Sequence, residues 1–281
     1  MRRTLLLASV LACLPAVAGA QQRPLVTEDP ETIGAGRVLL ETGMDYGRGV
    51  EYPASGLTGQ LLRVPLIGVS IGISSIAELQ FDGGLYNRLT ITGRDPTAPL
   101  ASLVTATGDT TSSVEDLVVA TKVRIVGETE GRPAFGLRLA TKLPNASNES
   151  GIGLDTTDFL ASLLVGKTVR SVRTVINGGF AILGDPVVAN RQNDVVTYGV
   201  SLARALTQAA EVVGEVNGGF DTRDHTPDRP GVTHGTFRLG ARYTVGSWRG
   251  DVAAVVGLTS RDPGIGFAAG FTYVFTAFQI P

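Results

Sequence analysis

From Thr236 to Val245 the chain alternates with period two. Phe237, Leu239, Ala241, Tyr243 and Val245 fall on one face, and Arg238, Gly240, Arg242 and Thr244 on the other. Such alternation predicts a strand whose two faces meet different surroundings. Segments of the same kind predict strands near 37–46, 60–71, 75–92, 114–126, 133–143, 157–168, 171–183, 194–206, 209–220, 236–246, 249–259 and 266–278, about twelve in all. Long polar interruptions follow the odd strands, as at 93–113, 144–156, 184–193 and 221–235, and short ones follow the even strands. A soluble sandwich has no reason for that asymmetry. A transmembrane antiparallel β-barrel does, with long extracellular loops, short periplasmic turns and an even strand count.

A closed barrel also pairs every backbone group that lipid would leave unsatisfied, so breakers inside strands are costly. Pro65 is one such breaker and requires a bulge or a place near the rim. Aromatic residues are sparse for two girdles, but Tyr46, Phe135, Phe159, Phe180, Tyr198, Phe220, Phe237, Tyr243, Phe271, Tyr273 and Phe275 mostly take the apolar parity.

Arg2 and Arg3 precede an apolar run from Leu5 to Val17 closed by Ala18-Gly19-Ala20, which reads as an export signal over 1–20. Residues 21–36 are then expected as a periplasmic N-terminal segment, and 37–281 as the barrel. Cys13 falls in the signal, which leaves no cysteine for a disulfide. With Leu11 poorly placed and apolar residues following, it fits a lipoprotein box badly. Twenty-four basic against 26 acidic residues give a net charge of -2, which provides no global field for nucleic acid. The expected location is the outer membrane of a Gram-negative-type bacterium, and the expected form is a monomer. Its expected partners are outer-membrane lipid, a small-molecule solute and, during biogenesis, the barrel assembly machinery.

Strand parity turns Glu41, Asp45, Glu78, Gln80, Asp82, Arg88, Asp116, Lys122, Arg124, Arg138, Lys142, Arg173, Asn177, Glu211, Glu215, Asn217, Arg238, Arg242 and Asp251 inward. Lys122, Arg124, Arg138 and Lys142 belong to consecutive antiparallel strands and predict one basic patch suited to an anionic solute. Glu211 and Glu215 lie on the strand beside Arg238 and Arg242. Their opposition predicts either a transverse field at a constriction or an ion-pair network that closes the interior. These eight residues are the expected solute path through the lumen.

No cofactor or metal is expected. His225 and His234 share a loop with Asp224 and Asp228, but at no recognised ligand spacing. No predicted strand carries a histidine to serve a nucleophile, so an enzyme is not expected. Gly34-Ala35-Gly36 and Gly151-Ile152-Gly153 read as turns, since neither joins a strand to a helix. Asn145-Ala146-Ser147 and Asn148-Glu149-Ser150 match a glycosylation sequon only by chance in a bacterial loop.

The opening Leu25-Val26-Thr27-Glu28-Asp29, with Thr32, Gly34 and Gly36 before the first strand, resembles an outer-membrane family linked to the MetA pathway of phenol degradation. The likeness continues from Leu62 to Phe81, through Pro133 to Pro144, at Gly151, Gly153 and Asp158, and at Asn177-Gly178-Gly179-Phe180. It implies an outer-membrane barrel that passes small, including aromatic, molecules, and it assigns no catalytic residues. Barrels of this kind commonly end on an aromatic that the assembly machinery reads. This chain ends Phe278-Gln279-Ile280-Pro281, which leaves that part to Phe278. The function expected is diffusion of a small anionic or aromatic solute through a charged lumen. The alternative is a non-conducting structural or surface-binding barrel acting through its extracellular loops.

Overall fold

A computed structural model describes residues 23–188, 190–223 and 232–279. The expected export signal over 1–20 and the loop residues Asp224, His225 and Asp228 lie outside the described residues. Fourteen strands form one antiparallel sheet closed by pairing of β1 (Arg37–Tyr52) with both β14 (Ile265–Thr276) and β2 (Leu57–Gly72). Four short strands are halves of two long staves. The stave of β3 (Ala77–Gly84) and β4 (Asn87–Arg94) follows β2, and the stave of β5 (Thr110–Ser113) and β6 (Val118–Val126) follows it. The wall continues through β7 (Ala134–Lys142), β8 (Asp158–Val169), β9 (Val172–Gly184), β10 (Gln192–Ala205), β11 (Ala210–Asp221), β12 (His234–Val245) and β13 (Trp248–Gly257). The result is a closed twelve-stranded barrel.

Closure follows from the chemistry of the outer face. Alternate residues such as Leu137, Leu139, Phe159, Leu163, Phe180, Leu239, Val252 and Phe267 are exposed there, which suits lipid and not water. The aromatics form two bands on that face. Tyr46, Phe159, Phe180, Tyr198, Phe220, Phe237 and Phe267 lie toward one rim, where Tyr198 stacks on Phe220 at 4.9 Å. Phe135, Tyr243, Trp248, Phe271, Tyr273 and Phe275 lie toward the other, where Trp248 stacks on Tyr273 at 4.0 Å. Such amphipathic rings settle at the two membrane interfaces.

Two departures from the sequence reading share one cause. Arg48 pairs with Gln60 and Val50 with Gly59, so Gly49, at φ 71, is an extra residue that bends β1. Both strands then run on to a short turn at 53–56, and the loop expected after the first strand is a tight hairpin. The second bulge is at Pro65. Gly43 pairs with Leu66 but Asp45 with Arg63, so β2 carries the extra residue beside β1. On its other side Val64 and Leu85 still hydrogen-bond to Tyr86 and Pro65. This shift flips the parity of the third stave between Gly84 and Asn87. Asn87 opposes the inward Arg63, and Arg88, expected in the lumen, stands on the outer face opposite Leu62.

Candidate lumen site

Residues 23–36 do not lie outside the barrel as expected; they line its interior. Pro24 and Pro30 lack backbone donors and constrain the residues before them, so the segment cannot join a sheet or wind as a helix. The wall supplies its partners instead. Gly34 and Gly36, at φ 91 and 70, turn the chain from this path into β1.

The path visits the wall in strand order. Ile33 N–H donates to Glu78 on β3 at 2.7 Å. Glu31 pairs with Arg124 on β6. Pro30 packs over Gly136 and Gly166 on β7 and β8. Asp29 pairs with Arg173 on β9 at 2.6 Å. The Asn177 amide grips Glu28 twice, accepting its N–H at 2.7 Å and donating to its carbonyl at 2.8 Å. Thr27 lies over Gly199 on β10, and the Val26 and Thr27 N–H groups donate to Glu215 on β11. On β12, Arg238 donates to the Pro24 carbonyl at 3.1 Å and Arg242 to the Arg23 carbonyl at 2.7 Å. Arg23 ends the circuit, donating to Ala269 on β14 and pairing with Asp45 on β1 and Asp251 on β13.

Glycine makes room for this belt. A Cβ at Gly72, Gly136, Gly166, Gly199, Gly43 or Gly270 would meet Gly34, Pro30, Pro30, Thr27, Arg23 or Arg23 respectively. All six are inward positions on the wall. At the lower mouth Ile33 packs with Leu39 and Val274, all at most 4% exposed.

The eight residues expected along a solute path all face inward, and the belt meets most of them. Lys122 is fully buried and lies 3.0 Å from Glu78 and 3.4 Å from Glu28. Arg138 lies 2.9 Å from Glu28, Arg124 against Glu31, and Lys142 3.0 Å from Asp116 and 2.9 Å from Asp158. The expected basic patch is therefore matched by acids, and belt residues contribute to three of its four members. Arg238 stands 3.8 Å from Glu215, and Arg242 3.9 Å from Glu211. Sequence reasoning missed Glu28, Asp29, Glu31 and Arg23 as lumen groups. The available signal was the set of inward glycines, which leave space in a wall otherwise lined by long side chains.

Above the belt the lumen is open. One cavity of about 460 Å³ is bounded by Arg23, Pro24, Val26, Glu28, Asp45, Asp82 and Arg138. A second, of about 450 Å³, opens among the upper loops between Tyr52, Leu154, Val187, Arg223 and Arg261. Arg63, Glu115, Asp116, Lys142 and Asp158 border both. Arg63 is held between Asp45 at 3.1 Å and Glu115 at 3.2 Å. No group of side chains suited to hold a metal occurs among the described residues.

No family model matches the chain, and no curated protein matches it. An outer membrane channel from Pseudomonas putida F1 shares the fold, with TM-score 0.64 and 14% identity over 88% of this chain and 98% of that one. The NanC porin matches with TM-score 0.51 and 10% identity over 86% of this chain and 100% of the porin. The chain thus shares the fold of outer-membrane β-barrels. LpxR from Salmonella typhimurium is a further neighbour, at TM-score 0.45 and 11% identity over 85% of this chain and 100% of that one. The exclusion of enzymes does not stand, because its premise that no strand carries a histidine fails: His234 is the first residue of β12, its Nδ1 3.0 Å from the Val232 carbonyl.

Proposed function

We propose that this chain is an outer-membrane channel for a small anionic solute, with a lumen that its own N-terminal segment occupies at rest. The carrying observation is that the belt presents Glu28, Asp29 and Glu31 to Lys122, Arg138, Arg173 and Arg124. These acids act as tethered counter-ions. When the segment leaves, Arg124 loses Glu31 while Lys122, Arg138 and Arg173 each keep one wall carboxylate, Glu78, Asp82 and Glu128, so this side of the lumen becomes more basic, an arrangement that favours anions. The two upper chambers hold the solute before that step. An aromatic carboxylate fits both the charge of the wall and the apolar share of the chamber lining, Tyr52, Leu154 and Val187.

Single-channel recording in planar bilayers tests this reading. Deleting residues 23–36 while keeping the export signal should raise conductance severalfold and shift reversal potentials toward anion preference. Lys122→Ala with Arg138→Ala in the shortened chain should then weaken that preference. A shortened barrel that heat-modifiable electrophoresis shows to be folded, yet that conducts no better than the full chain, would favour the non-conducting alternative acting through its loops.

A further inference from the structure

The outer face of the wall carries a feature that a channel does not need. Lipid-facing residues of β1 run from Val38 through Leu40, Thr42 and Met44 to Tyr46, and the next outward residue is Arg48. Tyr46 lies beside Phe267, ring centroids 5.5 Å apart, within the upper aromatic band. Across the wall the row Phe267, Tyr46, Leu62 continues to Arg88, and the row above it reads Ile265, Arg48, Gln60, Thr90. Two arginines thus stand at and just above the band, two strand spacings apart, roughly 10 Å, with β2 between them.

Both arginines are exposed, and neither has an ion-pair partner among the described residues. Cations on the lipid side of a barrel are costly unless they sit at the headgroup level and find anions there. The residues between them are also polar. Tyr46 donates its hydroxyl to Gln60 Oε1 at 2.8 Å, which leaves the Gln60 amide N–H groups as donors to the outside. Thr58 and Thr90 project from the same face above. Among the described residues the nearest outward acid is Glu51, opposite Thr58 and above Arg48 on β1, and it forms no ion pair with either arginine. Asp194, at the upper end of β10, is on the far side of the barrel.

We propose that Arg48 and Arg88, with Gln60 between them, form a site for the phosphorylated headgroup of an outer-leaflet glycolipid. The site clamps the β1–β2–β4 wall at the level where Pro65 and Gly49 interrupt its regular pairing. A phosphate bound there bridges the two guanidinium groups and accepts from Gln60, while the lipid chains descend over Leu62 and Met44.

The test uses the full barrel in detergent, with bisphosphorylated lipid A, dephosphorylated lipid A and inorganic phosphate as probes. Native mass spectrometry counts retained lipid, and heat-modifiable electrophoresis reads the temperature at which the barrel opens. Bisphosphorylated lipid A should be retained and should raise that temperature, with the other two probes inactive. Arg48→Ala with Arg88→Ala should weaken retention roughly 30-fold, from the loss of two interfacial cations, while the unboiled protein still migrates as a folded barrel. Arg48→Lys with Arg88→Lys should restore part of it. Equal retention by the double alanine variant, or by dephosphorylated lipid A, would overturn the site. Stabilisation by inorganic phosphate alone would overturn the lipid as its ligand.

Discussion

The lower and upper halves of the lumen are built from the same wall and hold opposite contents. Below, charged wall residues are bonded to the belt: Lys122 and Glu78 are fully buried, and Glu215 spends its carboxylate on two backbone N–H groups. Above, Lys142, Asp116 and Asp158 pair with one another and border open chambers. The difference teaches that a charged lumen is not by itself a path. What decides passage is whether the partner of each wall charge belongs to the wall or to a segment that can leave.

The largest effect should follow from breaking the lower network at its centre. Lys122→Met leaves Glu78 buried without its nearest cation, and breaking a buried pair from one side costs about 3–5 kcal/mol. Denaturant titration of the barrel should show that loss, and Lys122→Met with Glu78→Leu should recover only part of it, because the buried Ile33 N–H then loses its acceptor. A single change costing less than about 1 kcal/mol would show that water, not the belt, solvates this level. Next comes the glycine track. Gly72→Ala sets a methyl against the Gly34 carbonyl, and overpacking of this kind costs about 1–3 kcal/mol. Because Gly34 is at the root of the belt, the variant should also conduct more like the shortened chain. Unchanged conductance would mean that the wall yields and the belt does not.

A smaller effect is expected above. Lys142→Gln removes the cation between Asp116 and Asp158 at a level that solvent reaches, which should cost about 1 kcal/mol or less. Its signature should be electrical, a lower anion preference in the shortened chain. Equal losses of stability for Lys142→Gln and Lys122→Met would erase the distinction between the two halves.

The outer face was the legible part. Lipid demands apolar residues at every second position, so the strands from β7 to β14 emerged within a few residues of their observed bounds. The inner face follows a weaker rule, since charge there suits water, an ion pair or a bound segment equally. Parity therefore placed Lys122, Arg138 and Glu215 inward without showing what they touch. Where two bulges interrupt β1 and β2, parity itself failed, and Arg88 was assigned to the wrong face. The segment from Arg23 to Gly36 was hardest to read because its prolines and acids look like a solvated leader, and only the distant wall gives them a partner.

The smallest effect concerns a group outside the lumen that still reaches the belt. Glu128, in the turn between β6 and β7, accepts from the Thr168 backbone N–H at 2.7 Å and pairs with Lys167 at 3.4 Å and with Arg173. Arg173 in turn holds Asp29 of the belt. Burial alone would raise the Glu128 carboxyl, but the Thr168 N–H and the two cations outweigh it and hold the group below its usual 4.5. A carboxyl lowered by folding stabilises the barrel fully above its unfolded value and loses that contribution as pH falls through the lowered one. The difference in denaturant midpoint between the native chain and Glu128→Gln should therefore be constant from pH 7 to 5 and shrink below pH 4.5. If the difference instead vanished between pH 7 and 5, the turn would be free of Arg173 and the belt would have no link to the periplasmic end.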